Sequence, residues 1–244
     1  MESQFSKQSE LYARYRPSYP EDLYKFILAH LNNKNVAWDC CTGTGQVASY
    51  LSGHFKKVYA NDISREQLKH APEKDNIDYF RVPAEETGFP SGIFDLIAIA
   101  QAIHWLDFEE FYEEVKRTAA GGALIAVFGY GMVRINEKLN PLIDKFYDYN
   151  FSEYFSENRD YLDSHYTTIP FPFDEIESPG FTQRLAWSVN DFEGYLNSWS
   201  TVQKFKDEKG FNPAEDLMEE IKPLWPEGEI KDVVFPVFLR LGRI

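Results

Sequence analysis

The chain has 244 residues, which is long enough to bury one core, and its 43% apolar and 26% charged residues are typical of a globular domain. Asp and Glu outnumber Lys and Arg by 39 to 25, and the resulting formal net charge of −14 repels nucleic acids and anionic lipid surfaces, which excludes both as expected partners. The two cysteines are adjacent, at Cys40 and Cys41, so neither a disulfide framework nor a multi-cysteine metal site is expected.

Strand and helix patterns alternate from residue 36 to residue 128. An amphipathic helix is predicted first, over residues 21–32, directly after Pro20. Strands are then predicted at residues 36–41, 57–61, 77–82, 94–102 and 123–128, with helices at 45–55, at 64–71 and from Asp107 onward. Because strands separated by such helices are joined by right-handed crossovers, these segments predict a parallel sheet with helices on both faces.

Local features refine three of these elements. Ser64-x-x-Gln67 is a capping box that opens the helix at 64–71. Residues 94–102 are apolar on both faces, which predicts a central strand. Gly121-Gly122 is predicted to separate the helix after Asp107 from the fifth strand.

Aromatic residues are dense in the segment that follows Tyr130. Residues 131–176 are predicted to be helical or irregular, and ten aromatic residues lie between Phe146 and Phe173. A strand at 181–189, helices at 190–205 and 213–225, and a last strand at 233–241 follow. We expect the late strands to complete a mainly parallel seven-stranded sheet and the aromatic segment to form a helical cap over the strand ends. Pro236 argues against a central position for the last strand.

These elements predict one domain over residues 1–244 with a three-layer α/β fold. In this interpretation residues 1–35 are an N-terminal cover segment and residues 36–129 are the core. Residues 130–180 are the cap insertion, and residues 181–244 complete the sheet with inserted helices.

A glycine loop between two acidic residues lies at the end of the first predicted strand. Asp39-x-x-x-Gly43-x-Gly45 spans the strand end and the next helix start, and Asp62 follows the second strand. Glycines at such a loop allow a sharp turn and close contact with a ligand, and the helix start presents unpaired N–H groups. A carboxylate in the position of Asp62 can accept both hydroxyls of a ribose. The pattern therefore predicts a nucleoside-containing cofactor.

Two cofactors are compatible with this loop. Gly43-x-Gly45-x-x-Ala48 also satisfies the dinucleotide pattern, so a nicotinamide-dependent oxidoreductase is an alternative. Asp39 stands four positions before Gly43, where its carboxylate would repel a pyrophosphate and attract an ammonium group. This difference favours S-adenosylmethionine.

With these residues the sequence resembles the class I S-adenosylmethionine-dependent methyltransferases, which have a Rossmann-like fold. The resemblance implies that the loop after Asp39 holds the methionine part of the donor, that Asp62 holds the ribose, and that Ala84-Glu85 flanks the adenine. Gln101 would line the cleft beside the methyl group, and Phe94-Asp95-Leu96 and Gly121-Gly122 also resemble family motifs. The cofactor-binding residues so implied are Asp39, Thr42, Gly43, Thr44, Gly45, Asp62, Ile63, Ala84, Glu85 and Gln101.

Other stretches are similar to the branch of this family that contains trans-aconitate methyltransferase. They are Gln101-Ala-Ile-His104-Trp105, Tyr15-Arg16-Pro17-x-Tyr19-Pro20 and the segment GYLNSWS at residues 194–200. This similarity implies a small-molecule acceptor, and a carboxylic acid in particular.

Candidates for the acceptor side are a histidine, a tryptophan and arginines. His104 and Trp105 follow the fourth strand, where His104 could bind the acceptor, remove its proton or only anchor its loop. Arg14 and Arg16 lie in an aromatic N-terminal segment, and Arg159 lies in the cap; each could bind a carboxylate or be a surface charge. No metal site is predicted, because the remaining histidines show no ligand spacing: His30, His54, His70 and His165.

The sequence thus predicts a small-molecule methyltransferase. A nicotinamide oxidoreductase and a non-catalytic S-adenosylmethionine-binding protein are the alternatives. The apolar runs are too short to span a bilayer, and the N-terminal residues lack the apolar segment of a signal peptide, so we expect a cytoplasmic protein.

Overall fold

A computed structural model of the chain describes residues 15–151 and 158–244. The strands in these ranges are β1 (Val36–Cys40), β2 (Lys57–Asn61), β3 (Ile77–Phe80), β4 (Phe94–Ala100), β5 (Ala119–Tyr130), β6 (Asp174–Ile176), β7 (Phe181–Trp187) and β8 (Lys231–Arg243). The helices are α1 (Glu21–Ala29), α2 (Gln46–Leu51), α3 (Arg65–Leu68), α4 (Phe108–Thr118), α5 (Asn140–Phe151), α6 (Arg159–Asp163), α7 (Val189–Asn197), α8 (Ser200–Lys209) and α9 (Pro213–Ile221). A short 3-10 turn, Ile103–Trp105, follows β4.

The strands form one mixed sheet in the order β3-β2-β1-β4-β5-β8-β6. Strands β1 to β5 are parallel to one another, and β8 runs antiparallel to β5. On the far side of β8, β6 pairs with residues 241–243 and β7 with residues 231–237. Strands β6 and β7 therefore pair one after the other along the same side of β8, so the eight strands occupy seven positions across the sheet. The expected mainly parallel α/β sheet is confirmed.

Apolar side chains pack on both faces of this sheet. Ala37 and Leu96 belong to one buried cluster, with residues of α1, α2, α5, α7 and α9. Trp38 and Ile97, their chain neighbours, belong to a second cluster, with residues of α4 and α6. Since neighbouring strand residues point to opposite faces, the two clusters are the two interfaces of a three-layer fold.

The N-terminal segment lies against α7 and the end of β5. The Tyr15 ring occupies the space that a side chain at Gly194 would take, with ring atoms 2.4–2.6 Å from an ideal Cβ there. Tyr19 packs edge-on against Phe128 with ring centroids 4.6 Å apart. These contacts hold the intervening Arg16 near the carboxyl ends of the parallel strands.

The diglycine prediction was wrong. Strand β5 begins at Ala119, so Gly121 and Gly122 lie within it. Phe94 pairs with Ala119, whereas Leu96 pairs with Leu124, so the register shifts between these pairs. Such an irregularity needs an unusual backbone conformation, which Gly122 provides with a φ of 78°.

The helix predicted at 190–205 is two helices. Trp199 interrupts it with extended dihedral angles, φ −71° and ψ 131°, and begins α8 at the next residue. The Trp199 side chain is buried and packs edge-on against Tyr195 at 5.6 Å. The packing of this tryptophan against the rest of the fold therefore determines where the helix is interrupted, and the periodicity of the sequence does not indicate it.

The expectation from Pro236 was also wrong, because β8 is paired on both sides. The last pair with β5 is Tyr130 with Val237, and the Pro236 carbonyl accepts from the N–H of Gly131, which lies beyond that strand. In an antiparallel ladder the N–H and C=O of one residue point to the same neighbour. The nitrogen of Pro236, which has no hydrogen to donate, therefore points toward the chain beyond the end of β5, where no strand of the described chain needs its hydrogen bond.

The capping box at Ser64 is only half formed. Its hydroxyl accepts from the N–H of Gln67 at 3.3 Å, but its own N–H donates to Oδ1 of Asp62 at 2.8 Å. Helix α3 is correspondingly shorter than predicted. No helix in the described part of the chain is long and apolar enough to cross a membrane.

The side chain of Asn61, the last residue of β2, connects three segments of the chain. Its Oδ1 accepts from Nε1 of the fully buried Trp38 at 2.7 Å, and its Nδ2 donates to the carbonyl of Val82 at 3.0 Å. The side chain thereby ties β2 to β1 and to the segment after β3.

Asn61→Ala should lower the free energy of unfolding by about 2–4 kcal/mol, because it leaves the buried Trp38 N–H and Val82 carbonyl without their partners. Urea denaturation measures this effect. The exposed Asn33→Ala is the control, expected within about 0.5 kcal/mol of wild type. An equally small effect of Asn61→Ala would contradict the assigned network.

Candidate active site

The loop after β1 is bent by glycines. Gly43 and Gly45 have φ values of 57° and 76°. A side chain at Gly45 would place its Cβ 2.7 Å from Oη of Tyr79, whereas the nearest atom to a Cβ at Gly43 is 3.9 Å away. Gly45 therefore allows close packing against the protein, and Gly43 leaves its side of the loop open to a ligand.

Asp39 lies buried at the base of this loop. Its Oδ2 accepts from the N–H of Ala48 at 2.8 Å and from the hydroxyl of Thr42. Burial raises the pKa of Asp39 from 3.8 to about 7, although the bonds from Thr42 and Ala48 lower it, and the nearby charge of Asp62 raises it further. A buried, incompletely compensated carboxylate of this kind favours a cationic ligand group beside it.

Asp62 lies across the loop from Asp39. Its Oδ2 accepts from the N–H of Gly43 at 2.9 Å, and its Oδ1 accepts from the N–H of Ser64 at 2.8 Å. Burial raises the pKa of Asp62, and these backbone bonds partly oppose the shift. Each carboxylate oxygen has two acceptor sites, so Asp62 can hold the loop and still accept from ligand hydroxyls.

The loop borders a narrow cavity of about 50 Å³, which we call the loop cleft. Five of the predicted cofactor residues line it: Asp39, Thr42, Gly43, Thr44 and Gln101. The other predicted residues do not line it: Gly45 precedes α2, Asp62 and the 43% exposed Ile63 follow β2, and Ala84 and Glu85 follow β3. Glu85 accepts from the N–H of Asp107 at 3.3 Å.

A larger cavity of about 330 Å³, the cap pocket, adjoins the loop cleft. Its wall comes from distant parts of the chain: Arg16, Gln101, Tyr130, Gly131, Met132, Arg134, Tyr147, Leu162, Asp163, His165, Tyr195, Trp199, Ser200, Thr201 and Pro236. Arg16, Gln101 and Tyr130 line both cavities. The two cavities therefore meet at these three residues.

Arg16 and Gln101 are both fixed to the end of β5. Arg16 donates from Nη1 to Oη of Tyr130 at 3.1 Å and from Nη2 to the carbonyl of Ser198 at 3.2 Å. Its guanidinium also lies 5.7 Å from the ring centroid of Tyr195. Gln101 has a left-handed backbone, φ 56°, and its Nε2 donates to the Tyr130 carbonyl at 3.1 Å. The junction of the cavities thus carries a cation in a defined position.

The candidates His104 and Trp105 do not line either cavity among the described residues. His104 is buried, and its Nδ1 bonds to Oη of Tyr166 at 2.8 Å. This geometry favours the anchoring interpretation of His104. Arg14 lies outside the described residues, and for Arg159 the structure describes only the backbone.

Several pocket residues escaped sequence reasoning. His165 lines the cap pocket, although its sequence neighbours gave no signal for a site. Tyr195 and Trp199 belong to the GYLNSWS segment, whose similarity to the family branch implied no function for either residue. Tyr130 ends a strand that was predicted to stop at residue 128. Only the tertiary fold brings these side chains together.

Comparisons with known proteins agree on one family. A model described as "Methyltransferase domain" matches residues 38–127. A Dictyostelium discoideum protein named "Putative methyltransferase" is 32% identical over 99% of this chain and 95% of its own length. A Saccharomyces cerevisiae protein named "Probable S-adenosylmethionine-dependent methyltransferase" is 24% identical over 89% of this chain and 88% of its own length.

A solved structure shows the same overall similarity. It comes from Anaeromyxobacter dehalogenans and is described as "a Putative Type II Methyltransferase". It is 31% identical, covers 94% of this chain and 98% of its own, and superposes with a TM-score of 0.86.

Asp39→Asn should raise the melting temperature of the ligand-free protein at about pH 8 by at least about 3 °C. Burial raises the pKa of Asp39 from 3.8 to about 7, so the folded protein favours the neutral carboxyl. The stability that this group contributes is therefore fully present below about pH 3.8 and is lost as pH rises through about 7. The asparagine stays neutral and can still accept from Ala48.

Differential scanning fluorimetry between about pH 5 and pH 8 measures the difference between variant and wild type, which should grow with pH. The exposed Asp75→Asn is the matched control. A difference that stays constant over this range would show that Asp39 does not titrate as described.

Proposed function

The chain belongs to the class I S-adenosylmethionine-dependent methyltransferases, and from this premise we propose that it methylates the carboxylate of a small organic acid held in the cap pocket. The observation that carries this proposal is the meeting of the loop cleft and the cap pocket at Arg16. A cation at that junction can hold an anionic acceptor beside the donor site.

The donor site fits the chemistry of S-adenosylmethionine. The buried carboxylate of Asp39 would pair with the donor's ammonium group, and Gly43, with no atom closer than 3.9 Å to where a Cβ would stand, would allow its methionine part to approach the backbone. Asp62 would accept from the ribose hydroxyls, and Ala84 and Glu85 would flank the adenine. The contributions of Thr42, Thr44, Gly45, Ile63 and Gln101 to this site are part of the same proposal.

Membership of this family overturns the nicotinamide interpretation of Gly43-x-Gly45-x-x-Ala48. The dinucleotide pattern and the methyltransferase loop share glycines because both need a sharp turn between a strand and a helix. The discriminating residue is Asp39, since a buried carboxylate there is unfavourable beside a pyrophosphate.

When bound, S-adenosylmethionine supplies a methyl group on a positively charged sulfur. The protein's task is then to align and desolvate an acceptor oxygen, and orientation alone can supply about 7–11 kcal/mol. Arg16 would fix the acceptor carboxylate, which is already ionised at neutral pH and needs no general base. The aromatic walls at Tyr130, Tyr195 and Trp199 would exclude water and tolerate the positive charge.

Two features favour a carboxylic acid over other acceptors. One is the similarity of the Arg16 and Gln101-to-Trp105 segments to the branch that contains trans-aconitate methyltransferase. The other is the fixed position of the Arg16 guanidinium, which donates to Tyr130 and to Ser198 at the border of both cavities. The cap would then select the rest of the acceptor.

Asp39→Asn should weaken binding of S-adenosylhomocysteine at least about 10-fold, because it removes the charge that pairs with the ammonium group. Isothermal titration calorimetry measures the dissociation constant, with Asp75→Asn as the control. Wild-type affinity in the Asp39 variant would remove this residue from the donor site.

The acceptor is tested by methyl transfer from a labelled donor to a panel of small organic acids. A methyl ester releases labelled methanol in mild alkali, whereas ethers and methylamines keep the label. We expect an alkali-labile product and an acceptor KM that rises about 10- to 100-fold in Arg16→Gln, and less in Arg16→Lys.

The exposed Lys34→Gln serves as the charge control in this assay. Donor affinity of the Arg16 variants, measured by calorimetry, should change by less than about 3-fold. An alkali-stable product, or no transfer to any acid in the panel, would contradict a carboxylate acceptor.

A further inference from the structure

The turn between α6 and β6 contains two consecutive residues in a strained conformation. His165 and Tyr166 have φ values of 55° and 61°. Left-handed backbone costs about 1–3 kcal/mol for such residues and persists only where the surroundings enforce it. Histidine adopts this conformation more readily than most residues, but the bulky Tyr166 does not, so the local sequence does not favour two such residues in succession.

Several contacts enforce the conformation of Tyr166. Its side chain is fully buried, its Oη bonds to Nδ1 of His104 at 2.8 Å, and its ring packs edge-on against Phe238 at 5.2 Å. Its carbonyl accepts from Nη1 of Arg240 at 3.0 Å, and Arg240 is itself paired with Glu175 at 2.7 Å. The turn is therefore held by both its side chain and its backbone.

The neighbouring His165 lies in the wall of the cap pocket. Its ring stacks on Phe238, with centroids 4.8 Å apart and planes 20° from parallel. Gly131 gives the ring room, since a Cβ at that position would lie 3.3 Å from Nε2 of His165. The imidazole is thus exposed and held in one orientation beside the junction of the two cavities.

We propose that His165 contacts the acceptor in the cap pocket and that Tyr166 and His104 are positioning residues that hold it there. This inference rests on the proposed function, because it concerns the same pocket. It assigns the acceptor-facing histidine to His165, whereas the sequence had pointed to His104.

The chemistry follows from the acceptor. A carboxylate already has its nucleophilic oxygen ionised, so His165 has no proton to remove from it. An imidazole N–H can donate one hydrogen bond to a carboxylate oxygen, and Arg16 supplies a second point of attachment. Two fixed donors would orient the acceptor, and the loss of His165 would act mainly on the acceptor KM.

The test compares His165→Ala and His165→Gln with wild type, using whichever acceptor the wild-type enzyme methylates. We expect His165→Ala to raise the acceptor KM about 10-fold with little change in kcat and with unchanged affinity for S-adenosylhomocysteine. The glutamine, which keeps an N–H donor, should recover part of the loss. The exposed His70→Ala is the matched control.

Tyr166→Phe tests the positioning role, because it removes only the hydroxyl that bonds to His104. If Tyr166 acts through His165, its effect on the acceptor KM is expected to disappear in the His165→Ala background. Equal effects in both backgrounds would refute the positioning role.

A folded His165→Ala enzyme with wild-type acceptor KM and kcat would overturn the proposal, and circular dichroism with the melting temperature establishes folding. The nature of the acceptor is decided separately, by the alkali-lability of the wild-type product. A non-acid acceptor would therefore refute the proposed function while the His165 comparison still proceeds with that acceptor.

Discussion

A buried carboxylate at the end of β1 is the constraint around which the site is built. Placing Asp39 in the interior is unfavourable for its charged form, as the pKa of about 7 shows. The chain offsets part of this cost by bending residues 40–48 so that Thr42 and Ala48 donate to one oxygen. That bend needs Gly43 and Gly45, and it is the same bend that opens the loop cleft. In the proposed donor site, ligand-free stability and donor affinity would therefore be opposed at this position.

Local sequence signals predicted the parts of the fold that depend on local physics. The parallel strands follow from apolar runs separated by helices, and the loop at Asp39, Gly43 and Gly45 follows from residues that lie close together in the chain. The wrong predictions lie where contacts between residues that are far apart in the sequence determine the local structure. Trp199 breaks a helix because of its burial, and Pro236 is tolerated in a strand paired on both sides because the neighbouring β5 has ended there.

The acceptor side could be predicted least well, for the same reason. Arg16, Tyr130, His165 and Tyr195 are separated by up to 179 residues, and only the packing of the N-terminal segment, the cap and α7 brings them to one cavity. Arg16 and Tyr195 lie in stretches similar to family segments, but Arg16 also suited a surface charge, and Tyr130 and His165 have ordinary sequence contexts. The motif near His104 was visible, but whether its side chain faces a pocket depends on the bond from Tyr166.

The shared position of β6 and β7 has a consequence for association between molecules. An exposed edge strand can template pairing with the sheet of another molecule. Here the edge consists of a three-residue strand and a seven-residue strand, separated by a four-residue connection that contains Pro179. A foreign strand could pair with the three residues of β6 or the seven of β7, but the connection with Pro179 would interrupt a ladder that ran along both. The discontinuity thus limits the length over which another molecule could add to this border of the sheet.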